Sequence, residues 1–289
     1  MPTTQDWVAG SRPKTLWTAI APVAVGTAAA GALDSGAAVP AALALGVALA
    51  MQIAVNFAND YSDGVRGTDI DRIGPDRLVA TGKATPSEVK RAAYLAFGLA
   101  ALLGVALILV SGLWWLAPIG AIAIIAAWTY TGSARPYGYA GWGEVSVFVF
   151  FGPVAVLGTM VTQAHTISWV GVLGSISVGL YAVSLLMVNN IRDLATDTVA
   201  SKRTLAVRMG DVSARRLFAI TILTPVLIAV LIAFWHPWAL ISTVVALPAL
   251  LLAVAMRVTA TTSRLPLVFG GLSAVGLTYG ILLAVGISL

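Results

Sequence analysis

The chain has 289 residues, of which 59% are hydrophobic and 10% are charged. Soluble proteins contain about 25% charged and about 45–50% apolar residues, so this composition excludes an ordinary soluble globule and predicts an integral membrane protein. The sequence has no cysteine, which excludes disulfides, thiolate metal ligands and cysteine nucleophiles, and its formal net charge of +5 is explained by membrane topology rather than by nucleic-acid binding.

Nine segments between polar connections are long and apolar enough to cross a bilayer, which requires about 20 mostly apolar residues. The first follows Arg12 and Lys14 and leads into further spans without an obvious processing site, so we expect a membrane helix rather than a cleaved signal. The sequence therefore predicts an all-α integral membrane protein with nine transmembrane helices in a single domain, residues 1–289. The predicted spans are residues 15–33, 38–59, 93–111, 115–131, 144–163, 168–190, 216–234, 238–256 and 266–287.

The distribution of basic residues predicts how these spans are oriented. All 17 Lys and Arg residues lie before the first span, in every second connection or, for Arg216, at the edge of one of these connections, and the other connections have none. Because cytoplasmic connections carry the excess of Lys and Arg, the amino terminus is predicted to lie on the cytoplasmic side of the cell inner membrane and the carboxyl terminus outside. The two long connections, about residues 60–92 and 193–215, then lie on the cytoplasmic face, where we expect the active site.

Each long connection begins with a similar group of amide and carboxylate side chains. In both groups an Asn precedes an Asp by four residues, which puts the two side chains on one face of a helix. The groups follow the second and sixth spans, so the chain is predicted to contain a pseudo-repeat of four helices. One group alone could be only the solvated start of a loop, but the repetition favours a functional site. The groups are Asn56, Asp60 and Asp63, and Asn189, Asp193 and Asp197.

The chemistry of these groups indicates a metal. Clustered carboxylates repel one another, and a divalent cation removes that repulsion. Oxygen ligands without cysteine or a nearby histidine favour Mg²⁺, which binds few protein groups and completes its coordination with water and phosphate. Basic residues near the groups can hold the same anion through charge-assisted hydrogen bonds; they are Arg66, Arg72, Lys202 and Arg203. The sequence therefore predicts a Mg²⁺-dependent diphosphate site, with a polyprenyl chain among the apolar helices.

With both groups in order and nine predicted spans, the whole chain resembles the UbiA superfamily of intramembrane prenyltransferases. The two superfamily motifs fall on the two groups, and the resemblance implies that all six residues bind metal and that the four aspartates are catalytic. Many members have Tyr-x-x-x-Lys between helices 4 and 5, but here Ala134 takes the Lys position after Tyr130, and Arg135 follows it. The resemblance implies catalytic roles for Tyr130 and Arg135. The alternatives are that Tyr130 is an aromatic anchor at the membrane interface and that Arg135 is one of the cytoplasmic basic residues that set the topology.

Further stretches are similar to the menaquinone branch of the superfamily, the 1,4-dihydroxy-2-naphthoate polyprenyltransferases. The most specific is the run Arg-Pro-Tyr-Gly-Tyr at residues 135–139, and the others are residues 12–15, 59–63, 67–69, 130–132 and 202–206. In addition to the four basic residues near the acidic groups, the resemblance implies substrate-binding roles for Arg12, Lys14, Arg135 and Tyr139.

The implied reaction transfers a polyprenyl group from a polyprenyl diphosphate to 1,4-dihydroxy-2-naphthoate, with loss of CO₂ and formation of demethylmenaquinol. Mg²⁺ then acts as a Lewis acid on the leaving diphosphate, and the electron-rich ring attacks an allylic cation. Enzymes with 4-hydroxybenzoate or haem as acceptor are alternatives, and a cation-coupled transporter is the alternative from another class. No acidic residue lies near the middle of a predicted span, which disfavours a transporter.

Overall fold

The computed structural model describes residues 2–67, 77–258 and 265–289, and within these ranges all regular structure is helical. A π-helical turn (Phe150–Val154) joins α6 to α7, and a 3₁₀ helix (Pro237–Val245) precedes α12. The helices are α1 (Thr4–Gly10), α2 (Trp17–Gly31), α3 (Ala38–Arg66), α4 (Pro86–Ser111), α5 (Leu116–Thr129), α6 (Gly143–Val149), α7 (Ala155–Ala164), α8 (Trp169–Arg192), α9 (Leu194–Val199), α10 (Leu205–Met209), α11 (Asp211–Ile232), α12 (Ala246–Val258) and α13 (Leu265–Ser288).

Within the described ranges, seven helical segments are long and apolar enough to cross a membrane: α3, α4, α6 with α7, α8, α11, the 3₁₀ helix with α12, and α13. The protein is therefore an integral membrane protein. The other two predicted spans are shorter apolar helices, α2 with 15 residues and α5 with 14. At 1.5 Å per residue each is about 20 Å long, against a hydrocarbon core of about 30 Å. α2 begins shortly after a 3₁₀ turn at Pro13–Thr15, and α5 begins directly after a turn at residues 114–115.

The predicted loop boundaries, 60–92 and 193–215, are wrong because helices extend into both segments. α3 continues to Arg66 and ends where Gly67 adopts a left-handed φ of 69°, a conformation that glycine reaches without strain. α4 begins at Pro86, directly after a residue whose side chain completes a capping box. In the second connection, α9 and α10 occupy part of the predicted loop. The acidic residues of the first group therefore lie on a helix.

The packing of the helices leaves space for a site on one side of the bundle. α2, α8, α11 and α13 share the main core, and α3 packs on α4 beside them. α13 approaches α2 closely at two glycines, which have no side chain to keep the helices apart. A Cβ added to Gly276 would lie 2.4 Å from Trp17, and one added to Gly280 would lie 2.4 Å from Ala21. Large apolar side chains of α4, α5, α11 and α12 face outward, as expected of helices in contact with lipid.

Candidate active site

Two adjoining cavities lie beside α3 and α8, and both helices contribute residues to the lining of each cavity. The larger cavity is mainly apolar and runs among the helices, whereas the smaller is polar and lies where α3 and α8 end. A ligand with a polar head and an apolar tail can occupy both cavities at once. The residues that line both, and so mark their junction, are Arg12, Asn59, Tyr130, Leu186 and Asn189.

Asp63 is the carboxylate of the first group that faces the polar cavity. Its Oδ1 accepts a hydrogen bond from the Tyr139 hydroxyl, and the Lys202 ammonium lies 3.5 Å from the same oxygen. Nη2 of Arg77 lies 3.5 Å from Oδ2. Because Asp63 is buried, these partners balance a negative charge that is largely removed from water.

Asp193 and Asp197 of the second group line the same polar cavity. Asp193 accepts two hydrogen bonds of 2.7 Å from Nε and Nη2 of the preceding Arg192, which forms a bidentate pair. The Lys202 ammonium lies 3.9 Å from Oδ1 of Asp197 and also contacts Asp63. One lysine therefore connects the two acidic groups across the cavity.

Asp60 has a different environment from the other aspartates. It is 1% exposed, and its two oxygens accept hydrogen bonds from the backbone amides of Leu78 at 2.8 Å and Val79 at 3.1 Å. Asp60 is not one of the described residues that line the two cavities. Its carboxylate holds the segment that carries Arg77, whose guanidinium lines the polar cavity.

Asn56 lines the apolar cavity rather than the polar one. Its Nδ2 donates to the Ser11 carbonyl at 2.8 Å and to Oγ1 of Thr15 at 3.1 Å. These two residues belong to the turn that presents Arg12, whose φ of 53° lies in the left-handed region that non-glycine residues rarely adopt. Asn56 therefore stabilises a strained turn next to the junction.

Three predicted substrate-binding residues, Arg12, Tyr139 and Lys202, line the polar cavity. The Lys202 ammonium lies 4.5 Å from the centre of the Tyr139 ring, in addition to its contacts with carboxylates. Arg66 donates to the Thr131 carbonyl, and its guanidinium carbon lies 5.6 Å from the centre of the same tyrosine ring. Tyr139 is therefore close to two cations, although Arg66 does not itself appear in the described lining of either cavity.

The remaining predicted binding residues lie elsewhere. Lys14, Arg135 and Arg203 are exposed, and none of them appears in the described lining of either cavity. Arg135 follows α5 in a turn that is exposed to solvent. Arg72 lies outside the described residues.

Sequence reasoning missed three residues at the polar cavity. Asn59 has the same four-residue spacing to Asp63 that Asn56 has to Asp60, so the sequence offered this second register of the motif. Asn190 lines the cavity and donates at 2.8 Å to Oε1 of Glu144, a carboxyl that is 5% exposed. Arg77 carried no local signal, since only the fold brings it to Asp63.

Tyr130 and a neighbouring tyrosine form an aromatic wall of the apolar cavity. The rings of Tyr130 and Tyr137 meet edge to face with their centres 5.5 Å apart. The Tyr137 hydroxyl donates to the Ala126 carbonyl at 2.8 Å and lies 2.9 Å from Oγ of Ser146. The contacts of the hydroxyl hold the ring in place, and burial raises the pKa of Tyr137, which favours the protonated hydroxyl.

The donor groups of the polar cavity fit a hard divalent cation. Within the described ranges, no three His, Cys, Asp or Glu side chains are grouped closely enough to hold a metal by themselves. However, the carboxylates of Asp63, Asp193 and Asp197 face one cavity together with the amides of Asn59 and Asn189. Mg²⁺ prefers oxygen ligands, takes few of them from protein and completes its coordination with water and phosphate. These residues therefore fit Mg²⁺ bound together with a diphosphate.

The chain is similar to a known family and to several known proteins. The model of the UbiA prenyltransferase family matches residues 19–269. A 1,4-dihydroxy-2-naphthoate octaprenyltransferase of Mycobacterium tuberculosis is 50% identical over 241 residues, which cover 83% of this chain and 82% of the relative. The protein of the same name from Escherichia coli is 44% identical over 225 residues, which cover 75% of this chain and 72% of the relative.

Solved structures share the helical architecture. A UbiA homolog from Archaeoglobus fulgidus bound to GPP and Mg²⁺ matches with a TM-score of 0.67 and 15% sequence identity, over 98% of this chain and 99% of that chain. The apo form of a UbiA homolog from Aeropyrum pernix K1 matches with a TM-score of 0.68 and 17% identity, over 92% and 97% of the two chains. At these identities the likeness concerns the fold alone.

Proposed function

Because the chain belongs to the UbiA prenyltransferase family, we propose that it transfers a polyprenyl group from a polyprenyl diphosphate to 1,4-dihydroxy-2-naphthoate. The observation that carries the proposal is the pair of adjoining cavities, one polar and charged and the other mainly apolar. This pair suits a diphosphate with a hydrocarbon tail whose reacting bond lies at the junction. The choice of acceptor is supported by relatives at 50% and 44% identity that are named 1,4-dihydroxy-2-naphthoate octaprenyltransferases.

In this proposal the three aspartates of the polar cavity, Asp63, Asp193 and Asp197, hold Mg²⁺ with help from the amides of Asn59 and Asn189. The support for these roles is that all five residues line one cavity with oxygen donors. When bound, Mg²⁺ supplies Lewis-acid stabilisation of the leaving diphosphate. The positive charge of the cation is also needed for diphosphate binding, because carboxylates without a cation repel the diphosphate.

The cations that line the polar cavity, Arg12, Arg77 and Lys202, bind the diphosphate oxygens. Asp60 and Asn56 belong to the same sequence group as Asp63 but act indirectly. Their side chains hold the segments that carry Arg77 and Arg12, respectively. The first acidic group therefore contributes one ligand and two supports.

At the junction, the bond between the allylic carbon and the diphosphate oxygen breaks, and its electron pair leaves with the diphosphate. The ring carbon that bears the carboxylate forms the new carbon–carbon bond and then loses CO₂, which returns an electron pair to the ring. No ring proton has to be removed, so this step needs no base. Tyr130 lines the junction and presents an aromatic ring that stabilises the developing cation.

We propose further that all nine apolar helices, including the shorter α2 and α5, cross the inner membrane as one domain with a pseudo-repeat of four helices. The distribution of basic residues supports a cytoplasmic amino terminus and polar cavity and an external carboxyl terminus. Single cysteines at two exposed positions test this orientation, Ser87→Cys and Thr166→Cys. In intact cells an impermeant thiol reagent should label the second variant and spare the first. Labelling in the opposite order would overturn the orientation.

The proposed activity is tested with the purified protein in proteoliposomes, supplied with a polyprenyl diphosphate, Mg²⁺ and one acceptor at a time. We expect consumption of 1,4-dihydroxy-2-naphthoate with one CO₂ released for each prenyl group transferred. Chelation of divalent cations should stop the reaction. Transfer to 4-hydroxybenzoate at a comparable rate, or a naphthoate product that keeps its carboxylate, would contradict the assigned acceptor. Absence of transfer to any aromatic acceptor would contradict the activity itself.

A further inference from the structure

Gln52 is a polar residue in the lining of the apolar cavity, and the proposed reaction does not use its side chain. It is 7% exposed and lies on α3 two turns before Asn59, or about 10 Å along the helix axis. Its Nε2 donates to Oγ1 of Thr15 at 3.0 Å, whereas its Oε1 is buried and accepts no hydrogen bond from the described residues. Buried amide oxygens normally have a partner, so this oxygen needs an explanation.

The surrounding hydrogen bonds determine the orientation of the Gln52 amide. The Thr15 hydroxyl donates its single proton to the Arg12 carbonyl at 2.9 Å, so its oxygen is left as an acceptor only. That oxygen accepts from Nε2 of Gln52 and, at 3.1 Å, from Nδ2 of Asn56. Turning the Gln52 amide over would set two acceptor oxygens against each other. Its Oε1 is therefore directed away from Thr15.

The other polar groups on this wall of the cavity are already engaged. The Thr15 hydroxyl donates to Arg12, and the Thr18 hydroxyl donates to the Thr15 carbonyl at 2.6 Å. The residues of α3 on either side of Gln52 that line the cavity, Met51 and Val55, are apolar. Between Met51 and Val55, Gln52 thus provides a hydrogen-bond acceptor in a stretch of α3 that otherwise suits a hydrocarbon.

We propose that Oε1 of Gln52 accepts a hydrogen bond from a ring hydroxyl of the aromatic acceptor. The inference rests on the proposed function and concerns how the same site chooses its substrate. An amide oxygen can be satisfied only by a ligand that brings a proton donor, and a prenyl chain brings none, whereas a dihydroxynaphthoate brings two hydroxyls. A site that hydrogen-bonds a hydroxyl discriminates against analogues without it, because the buried protein group is then left unpaired.

The test compares the wild-type protein with Gln52→Leu, using the dihydroxynaphthoate and its two mono-methyl ethers as acceptors. A methylated oxygen cannot donate, so for one of the ethers we expect kcat/KM of the wild type to be about tenfold lower. In Gln52→Leu the KM of the free dihydroxynaphthoate should rise about tenfold, and the preference over that ether should disappear. The KM of the polyprenyl diphosphate should stay within about twofold, since the hydrogen bonds of Thr15 to Arg12 and Asn56 are kept.

Gln163 provides a matched control, because it is also a buried glutamine but does not appear in the described lining of either cavity. Its Oε1 accepts from the Ala37 amide at 3.0 Å, and its Nε2 donates to Thr27 at 3.2 Å and to Thr159 at 3.0 Å. Gln163→Leu removes the same chemical groups and should change neither KM nor the preference over the ethers. A loss of preference in this variant would mean that the effect reflects general loosening of the helices, and it would overturn the role of Gln52.

The outcomes separate the two proposals. If the wild type transfers prenyl groups and Gln52→Leu keeps the full preference for the free hydroxyl, the role of Gln52 is refuted and a buried water is the better partner for its oxygen. A selective rise in the KM of the diphosphate would likewise refute it, because Gln52 would then act through Thr15 and Arg12. If Gln52→Leu loses turnover, equilibrium binding of the free acceptor and its ethers without donor gives the same comparison. No transfer by the wild type to any acceptor refutes the proposed function instead.

Discussion

The end of α3 and the end of α8 have similar sequences but different structures. α3 continues without a break through Asp60 and Asp63. α8 ends at Arg192, and Asp193 forms the junction to the separate helix α9. The same Asn-x-x-x-Asp spacing therefore lies along one continuous helix in the first half and across a helix break in the second.

Because of this difference, the acidic residues at the two helix ends have different roles. On α3, Asp60 binds the backbone of the segment that carries Arg77, and Asp63 faces the polar cavity. Around the break after α8, Asp193 and Asp197 both face the cavity. Equal spacing in sequence thus produces a support and a ligand on one side, and two candidate ligands on the other. The same substitution made at the end of α3 and at the end of α8 will show whether these roles are correct.

Loss of a carboxylate that faces the cavity should have the largest effect. Asp63→Asn and Asp193→Asn each remove a negative charge from the proposed metal site, and we expect kcat to fall about 100-fold or more in both. Steady-state kinetics at saturating Mg²⁺ and saturating substrates measures this effect, and melting in detergent verifies that the variants fold. A folded variant with nearly unchanged kcat would remove its carboxylate from the site.

Asp60→Asn tests the supporting role directly. The new amide would set its NH₂ group against one of the two backbone amides that now donate to the carboxylate, so about 2–3 kcal/mol of stabilisation should be lost. We expect a melting temperature lowered by several degrees and a KM for diphosphate raised about tenfold, with kcat reduced less than in Asp63→Asn. A 100-fold loss of kcat at an unchanged melting temperature would instead group Asp60 with Asp63 as a ligand.

The sequence was a better guide to the helices and the location of the site than to the direction of single side chains. Spans follow from apolar runs that match the bilayer, which is a local property. Spacing also predicts that Asn56 and Asp60 share a helix face, but it applies equally to Asn59 and Asp63, and these two are the residues that line the polar cavity. Arg77 reaches the cavity through a segment held by Asp60, a contact between distant elements that no local pattern encodes.

Arg77 and Arg135 allow a buried and an exposed cation to be compared for their effect on diphosphate binding. Arg77 is 7% exposed and lies 3.5 Å from Asp63, whereas Arg135 is exposed and outside the described lining of both cavities. Arg77→Ala should raise the KM for diphosphate about tenfold, because it removes a buried cation next to the anion. Arg135→Ala should change the same KM by less than about twofold, as expected of a solvated charge. A larger effect from Arg135→Ala would restore the sequence prediction that this cation binds substrate.

The smallest effect expected of a residue that lines a cavity concerns Asn56, which the sequence treats as equivalent to Asn189. Asn56 supports the left-handed turn at Arg12, whereas Asn189 lines both cavities itself. Asn56→Ala should raise the KM for diphosphate about threefold, because Thr15 still holds the Arg12 carbonyl through its own hydroxyl. In an Arg12→Ala background the same substitution should change little, since its effect passes through Arg12, while Asn189→Ala should have the same effect in both backgrounds. Equal effects of Asn56→Ala with and without Arg12 would show that Asn56 contacts the substrate directly and that the two asparagines are equivalent after all.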